Sequence, residues 1–201
     1  MKYVTLGKTG IISPKNGFGA LPIQRDTTEV AAYLLRKAYD AGFTYFDTAR
    51  SYSDSEIKIG VALSDVRDKI TIATKTASLT PEGILKDLKT SLSNMKTDYI
   101  DIYQLHNPSF CPVPGDGSGV YELLAELKQK GVIRHIGITN HRLSVAEQAV
   151  RSGLYETLQF PFCYLATQKD IDIVELCREN NVGFIAMKAL SGGLITDSRM
   201  A

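Results

Sequence analysis

The sequence predicts an α/β fold: a (β/α)8 barrel, entered through an N-terminal β-hairpin and truncated after its seventh barrel strand. Three observations predict it. From Asn16 onward, short apolar runs alternate with amphipathic helical stretches, the pattern of βαβ units in a parallel sheet. The first of these runs, NGFGAL, carries Gly17 and Gly19 and is soon followed by Pro22, so it lacks the G-x-G-x-x-G that a doubly wound dinucleotide-binding sheet places there. Finally, successive apolar runs end in polar residues able to do chemistry. A barrel gathers such residues at the carboxyl ends of its strands.

The elements follow in order. KYVTLGKTGIIS places two alternating runs around Gly7 to Gly10 and reads as the hairpin. NGFGAL then pairs with a helix starting near Thr28, in which Val30, Leu34, Leu35 and Ala38 share one face. TYFDT leads to a helix near Ser53, with Ser53 or Asp54 as its cap. KITIATKT runs into PEGILKDLKTSLSNM, where Thr80 suits the N-cap and Pro81 the first helical position. DYIDIYQLH is joined by a Gly/Pro-rich loop, NPSFCPVPGDGSG, to VYELLAELKQKG, which Gly131 stops. VIRHIGITN with LSVAEQAVRSG and ETLQFPF with QKDIDIVELCREN complete six units, and VGFIAMK is the seventh strand.

Size and composition narrow the function. The 201 residues suit one domain, residues 1–201; a full barrel takes about 250, so the domain is expected to be incomplete at its carboxyl end. Mean hydropathy of −0.07 with 22% charged residues describes a soluble globular chain. A formal net charge of +1 without a basic stripe argues against nucleic acid or anionic lipid as partner. No apolar run has the length of a signal peptide or a membrane span, which predicts a cytoplasmic protein with no membrane partner. Cys111, Cys163 and Cys177 are widely spaced, and with His106, His135 and His141 they form no metal-ligand pattern, so no metal is expected in this chain. Open barrel edges would favour self-association.

The strand-end series is Asp47, Lys75, His106, Asn140, Gln159 and Lys188. Any one of these could be a cap or a solvated strand end. Asp47, Lys75 and His106 on consecutive strands, with Tyr52 five residues past the aspartate, make capping a poor explanation for all of them. A phenol with its ordinary pKa of about 10 is a weak acid at neutral pH, and a nearby ammonium would lower that value. Lys75 is the expected ammonium, held in place by Asp47, and a neutral His106 would hydrogen-bond the substrate oxygen beside Tyr52. The four together suit a carbonyl oxygen that takes a proton from Tyr52. Asp101 and His135 read as structural.

FDTARSY, TKT, LHN and GITN, together with the opening YVTLGKTG, the GFGA strand and MKALSGGL, resemble the motifs of aldo-keto reductases along the whole chain. The resemblance implies a catalytic set of Asp47, Tyr52, Lys75 and His106, with Tyr52 as general acid. It implies reduction of a small aldehyde or ketone by a nicotinamide cofactor, NADP(H) ahead of NAD(H), whose carboxamide meets Thr139, Asn140 and Gln159. Lys188, Ser191, Gly192 and Leu194 are similar to a pyrophosphate-binding stretch. Thr139 stands where a serine is common, and Met187 where a tyrosine often stacks on the nicotinamide. GFGALPIQR, DTARSYSDSE and QFPFCYLA are similar to bacterial members that often carry a ferredoxin-like cysteine tail; an iron-sulfur cluster would belong to such a downstream tail and not to this chain. Two other readings stand beside reduction: a non-catalytic barrel fragment or cofactor-sensing subunit, and a barrel lyase or isomerase using Lys75 as a Schiff base.

Overall fold

The structure is a computed structural model and describes residues 1–189. Strands β1 (Tyr3–Thr5) and β2 (Ile12–Pro14) pair antiparallel, Tyr3 opposite Pro14, as the alternating start of the chain predicts. Their connection is a 3-10 turn over Gly7–Thr9 that ends on Gly10.

Seven strands follow: β3 (Phe18–Gly19), β4 (Tyr45–Asp47), β5 (Thr71–Thr76), β6 (Ile100–His106), β7 (Ile133–Thr139), β8 (Thr157–Pro161) and β9 (Gly183–Met187). Between them lie α1 (Thr28–Asp40), α2 (Ser55–Leu63), α3 (Pro81–Met95), α4 (Val120–Gln129), α5 (Leu143–Arg151) and α6 (Gln168–Glu179). Each strand from β3 to β9 pairs in parallel with the next, in chain order and without reversal. A doubly wound sheet reverses its order at a switch point; the unbroken order is that of a (β/α)8 barrel wall.

Local chemistry accounts for the helix starts, with two differences from expectation. Thr80 accepts from the Gly83 amide at 3.2 Å with Pro81 as the first helical residue, and Thr167 and Asp170 close a capping box on α6. After β3 the chain makes a 3-10 turn, Pro22–Arg25, before α1 begins, which is why Pro22 is tolerated so soon after a strand. Asp54 holds the N-cap position of α2 but makes no side-chain cap bond. Its carboxylate instead meets Lys58 Nζ at 2.8 Å, and Lys58 also donates to the carbonyls of Ile23 and Asp26. This buried ammonium ties the 3-10 turn to α2.

Two apolar layers fix the direction of every strand. Outward residues such as Ile72, Tyr103, Leu105, Ile138 and Leu158 pack against Leu35, Ile59, Ile84, Leu124 and Val150 of the helices. Inside the barrel, Tyr45, Ala73 and Ile102 form a separate cluster with Leu6 of the hairpin, joined by Ile11 and Ile185. The hairpin therefore plugs the amino-terminal end, and the Lys8 amide holds it there by donating to the Asn181 carbonyl at 2.7 Å. Because alternate residues of a strand share a face, an inward floor of Tyr45, Ala73 and Ile102 sends Asp47, Lys75 and Gln104 inward one step nearer the carboxyl end. Near the amino ends, Asp101 pairs with Arg67 at 2.7 Å and Arg134 at 3.0 Å, and His135 meets Glu156 at 2.8 Å.

The helix layer is closest where α2 crosses α3. A Cβ on Gly60 would stand 2.2 Å from the Asn94 carbonyl oxygen and 2.9 Å from Met95 Cα, both backbone atoms. Gly60→Ala must push the helices apart, and we expect a loss of about 1–3 kcal/mol, read as a lower denaturant midpoint at unchanged slope.

Candidate active site

The inner face puts the acidic and basic groups in contact. Asp47 ends β4 and Lys75 lies one residue before the end of β5. Lys75 is almost fully buried, and its Nζ lies 2.7 Å from Asp47 Oδ2 and 2.6 Å from the Thr48 carbonyl oxygen. A lysine in this position is held by a carboxylate and a backbone dipole together, which occupies two of its three donors away from bulk solvent.

Tyr52 lies in the turn between β4 and α2. Its ring has Lys75 Nζ 5.2 Å from the centroid and the His106 ring 5.8 Å away, edge on at 81°. The backbone holds the loop in place, with the Arg50 amide donating to the Lys75 carbonyl at 2.9 Å and the Tyr52 amide to that of Ala49 at 3.0 Å. Asp47, Tyr52, Lys75 and His106, expected together from strand spacing, do converge.

The electrostatics correct one expectation and match another. Tyr52 is pushed up to about 12 rather than down, first by burial and then by the Asp47 charge. Lys75 does not reverse this, because its ammonium is engaged by Asp47 and Thr48 and faces the phenol ring. Tyr52 is thus a fully protonated phenol at neutral pH. His106 is lowered to about 4, by burial first and by the Lys75 cation second, so its imidazole is neutral, as expected.

That shift has a signed consequence. A histidine whose folded pKa lies below its ordinary 6.5 binds fewer protons folded than unfolded, so its neutral form supports the fold above that value. This support is lost as pH falls from 6.5 toward about 4. We expect the limb that His106 contributes to a kcat/KM profile to have its midpoint near 4. A His106-dependent limb at 6.5 would overturn the lowered pKa.

The expected cofactor residues are placed unevenly. Thr139 ends β7, and its hydroxyl lies 3.9 Å from Met187 Sδ. Gln159 is mid-strand in β8, not at its end, and stands in register with Thr139. Asn140 is fully buried and largely committed to its own loop: Nδ2 donates to the Pro108 carbonyl at 2.8 Å and Oδ1 accepts from the Arg142 amide at 2.9 Å. Lys188 lies just past β9, exposed, with φ 59°. Ser191, Gly192 and Leu194 lie outside the described residues.

Two features escaped the sequence reading. Glu56, fully buried, accepts from Thr74 at 2.8 Å, Ser91 at 2.6 Å and Asn94 at 3.2 Å, and pairs with Arg50. It joins the Tyr52 loop to β5 and α3, and nothing in its spacing distinguishes it from a surface helix residue. Gln104 lies inside the barrel, its Nε2 3.5 Å from Asp47 Oδ1 and 3.3 Å from Gln159 Oε1. Its signal was available, since Gln104 is two residues before His106 and so shares its face. Among the described residues, no group of three or more His, Cys, Asp or Glu is placed to hold a metal ion, and no helix is long and apolar enough to cross a membrane.

Comparison with known proteins gives a consistent result. The profile of the Aldo/keto reductase family matches residues 16–200. An uncharacterized oxidoreductase, YqkF of Bacillus subtilis, is 28% identical over 98% of this chain and 67% of its own length. Aldo-keto reductase YhdN from the same organism is 27% identical over 98% of this chain and 64% of its own. The NADH-specific methylglyoxal reductase of Escherichia coli is 26% identical, with 98% and 69% covered. The chain thus spans about two thirds of the length of these curated relatives, 64% to 69%. Among solved structures, the holo form of aldo-keto reductase AKR11C1 from Bacillus halodurans superposes with a TM-score of 0.86 at 26% identity, covering 96% of this chain and 68% of that one.

Proposed function

Since the chain belongs to the aldo/keto reductase family, we propose that the protein reduces an aldehyde or ketone to an alcohol with NAD(P)H, and that Tyr52 is the general acid. The observation that carries this reading is the convergence of a protonated phenol, a neutral imidazole and a Lys75–Asp47 ion pair at one end of the barrel.

Each residue has a task that its surroundings support. Tyr52 holds its proton at neutral pH and can give it to an oxygen that is becoming an alkoxide. His106, neutral, can donate one hydrogen bond to the same oxygen. Lys75 adds a fixed positive charge near Tyr52 that favours the phenolate left after transfer, and Asp47 keeps that charge in place. Raised to about 12 at rest, Tyr52 becomes a useful donor as negative charge builds on the substrate oxygen.

The residues suit a nicotinamide. A carboxamide offers one acceptor and one donor group, and the Thr139 hydroxyl with the Gln159 amide can complement both. Asn140 retains one N–H beyond its loop bonds. When bound, the reduced nicotinamide supplies the hydride. Lys188, exposed just past β9, suits a phosphate group of the pyrophosphate that NADP(H) and NAD(H) share.

The test is oxidation of NADPH and of NADH by the full-length protein against a panel of aldehydes and ketones. Turnover with any of them supports the reading. Cofactor binding without turnover would favour a sensor, and neither binding nor turnover a non-catalytic scaffold.

A further inference from the structure

Gln104 has no task in the reaction above, yet it is fully buried inside the barrel between Asp47 and Gln159. On β7, a Cβ on Gly137 would stand 2.9 Å from Gln104 Cγ and 2.3 Å from Thr157 Oγ1, so glycine at this position makes room for the Gln104 side chain. The orientation of its amide is determined by its neighbours. Both groups facing the Nε2 end, Asp47 Oδ1 and Gln159 Oε1, are acceptors, and a flipped amide would set oxygen against a carboxylate. The opposite end is left without a partner: among the described residues, Gln104 Oε1 is buried with no hydrogen bond. A buried carbonyl left unpaired lowers stability, and a group kept at that disadvantage calls for an explanation.

The explanation lies in Gln159. Its amide oxygen accepts from Gln104 at 3.3 Å, so its amide nitrogen is the end left to donate to a ligand. We infer that Gln104 is a positioning residue that locks the Gln159 amide with its NH2 end available to the nicotinamide carboxamide, and couples that amide to Asp47. This rests on the reading of Gln159 as a carboxamide contact. Without Gln104, the Gln159 amide can rotate and present either end, and only one end matches a carbonyl oxygen.

The experiment compares Gln104→Met, Gln159→Met and the double variant in the full-length protein. Two ligands are titrated: NADPH, and 2′-phospho-ADP-ribose, which lacks the nicotinamide. Gln104→Met should weaken NADPH by about five- to tenfold, the range of one hydrogen bond, and leave the truncated ligand unchanged. The double variant should bind NADPH no more weakly than Gln159→Met alone. Gln104→Leu must give the same pattern, so that a packing defect peculiar to methionine is not mistaken for the effect.

Equal weakening of both ligands would show a structural role and overturn the inference. So would unchanged NADPH binding in Gln104→Met while Gln159→Met weakens it. If Gln159→Met changes neither affinity, the carboxamide reading itself fails and the inference falls with it.

Discussion

Tyr52→Phe in the full-length protein should lower kcat for carbonyl reduction by about 10²- to 10⁴-fold, the range of a general acid, while NADPH affinity changes by less than about twofold. The substitution removes one oxygen and keeps the ring that lies 5.8 Å from His106 and 5.2 Å from Lys75 Nζ, so the pocket keeps its shape. Among the described residues, the nearby Lys75 ammonium is a poor substitute for the lost proton, since it is held by Asp47 and the Thr48 carbonyl. His106 is neutral, with its pKa lowered to about 4, and its loss as a hydrogen-bond donor should be smaller than the loss of Tyr52. The measurement is single-turnover oxidation of bound NADPH by excess substrate, which separates chemistry from release. Turnover in Tyr52→Phe within about tenfold of the parent would remove the phenol from its assigned role.

Glu56→Ala should destabilise the fold by about 3–5 kcal/mol, the cost of removing one partner from a buried ion pair. The carboxylate is fully buried and accepts from two hydroxyls and an amide besides pairing with Arg50. Alanine leaves Thr74, Ser91 and Asn94 without their acceptor, and Arg50 without its counter-charge. Glu56→Gln keeps the shape and one acceptor oxygen and should lose less. Because Thr74 adjoins Lys75, and Arg50 and Glu56 flank Tyr52, the alanine variant should also turn over more slowly at temperatures where it remains folded. Urea unfolding decides the matter: a loss under about 1 kcal/mol would mean that water replaces the carboxylate in the network.

Much of the fold was legible because periodicity and punctuation are local. Alternating runs marked each strand from Tyr45 to Met187, and Thr80, Pro81 and Gly131 marked helix ends from their own preferences. Asp47, Lys75 and His106 were legible because strand ends in a barrel share one face, and Tyr52 because it follows Asp47 by five residues. Two features could not be read this way. Pro22 belongs to a 3-10 turn held by Lys58 from another helix, and Asp54 leaves its capping role for that same lysine.

The sequence by itself determined the resemblance to the family, the order of strand and helix, and the presence of Asp47, Lys75 and His106 near the ends of consecutive strands with Tyr52 five residues past Asp47, since all of these depend on residue type and spacing along the chain. The tertiary structure alone decided how those groups act on one another. Burial and Asp47 raise Tyr52 to about 12 where a nearby lysine was expected to lower it, because loss of water around the phenol and the adjacent carboxylate charge outweigh an ammonium paired with that same carboxylate. Tertiary contact likewise made Gln104 and Glu56 into interior anchors, since a polar side chain acquires its role from the partners it meets once water is gone.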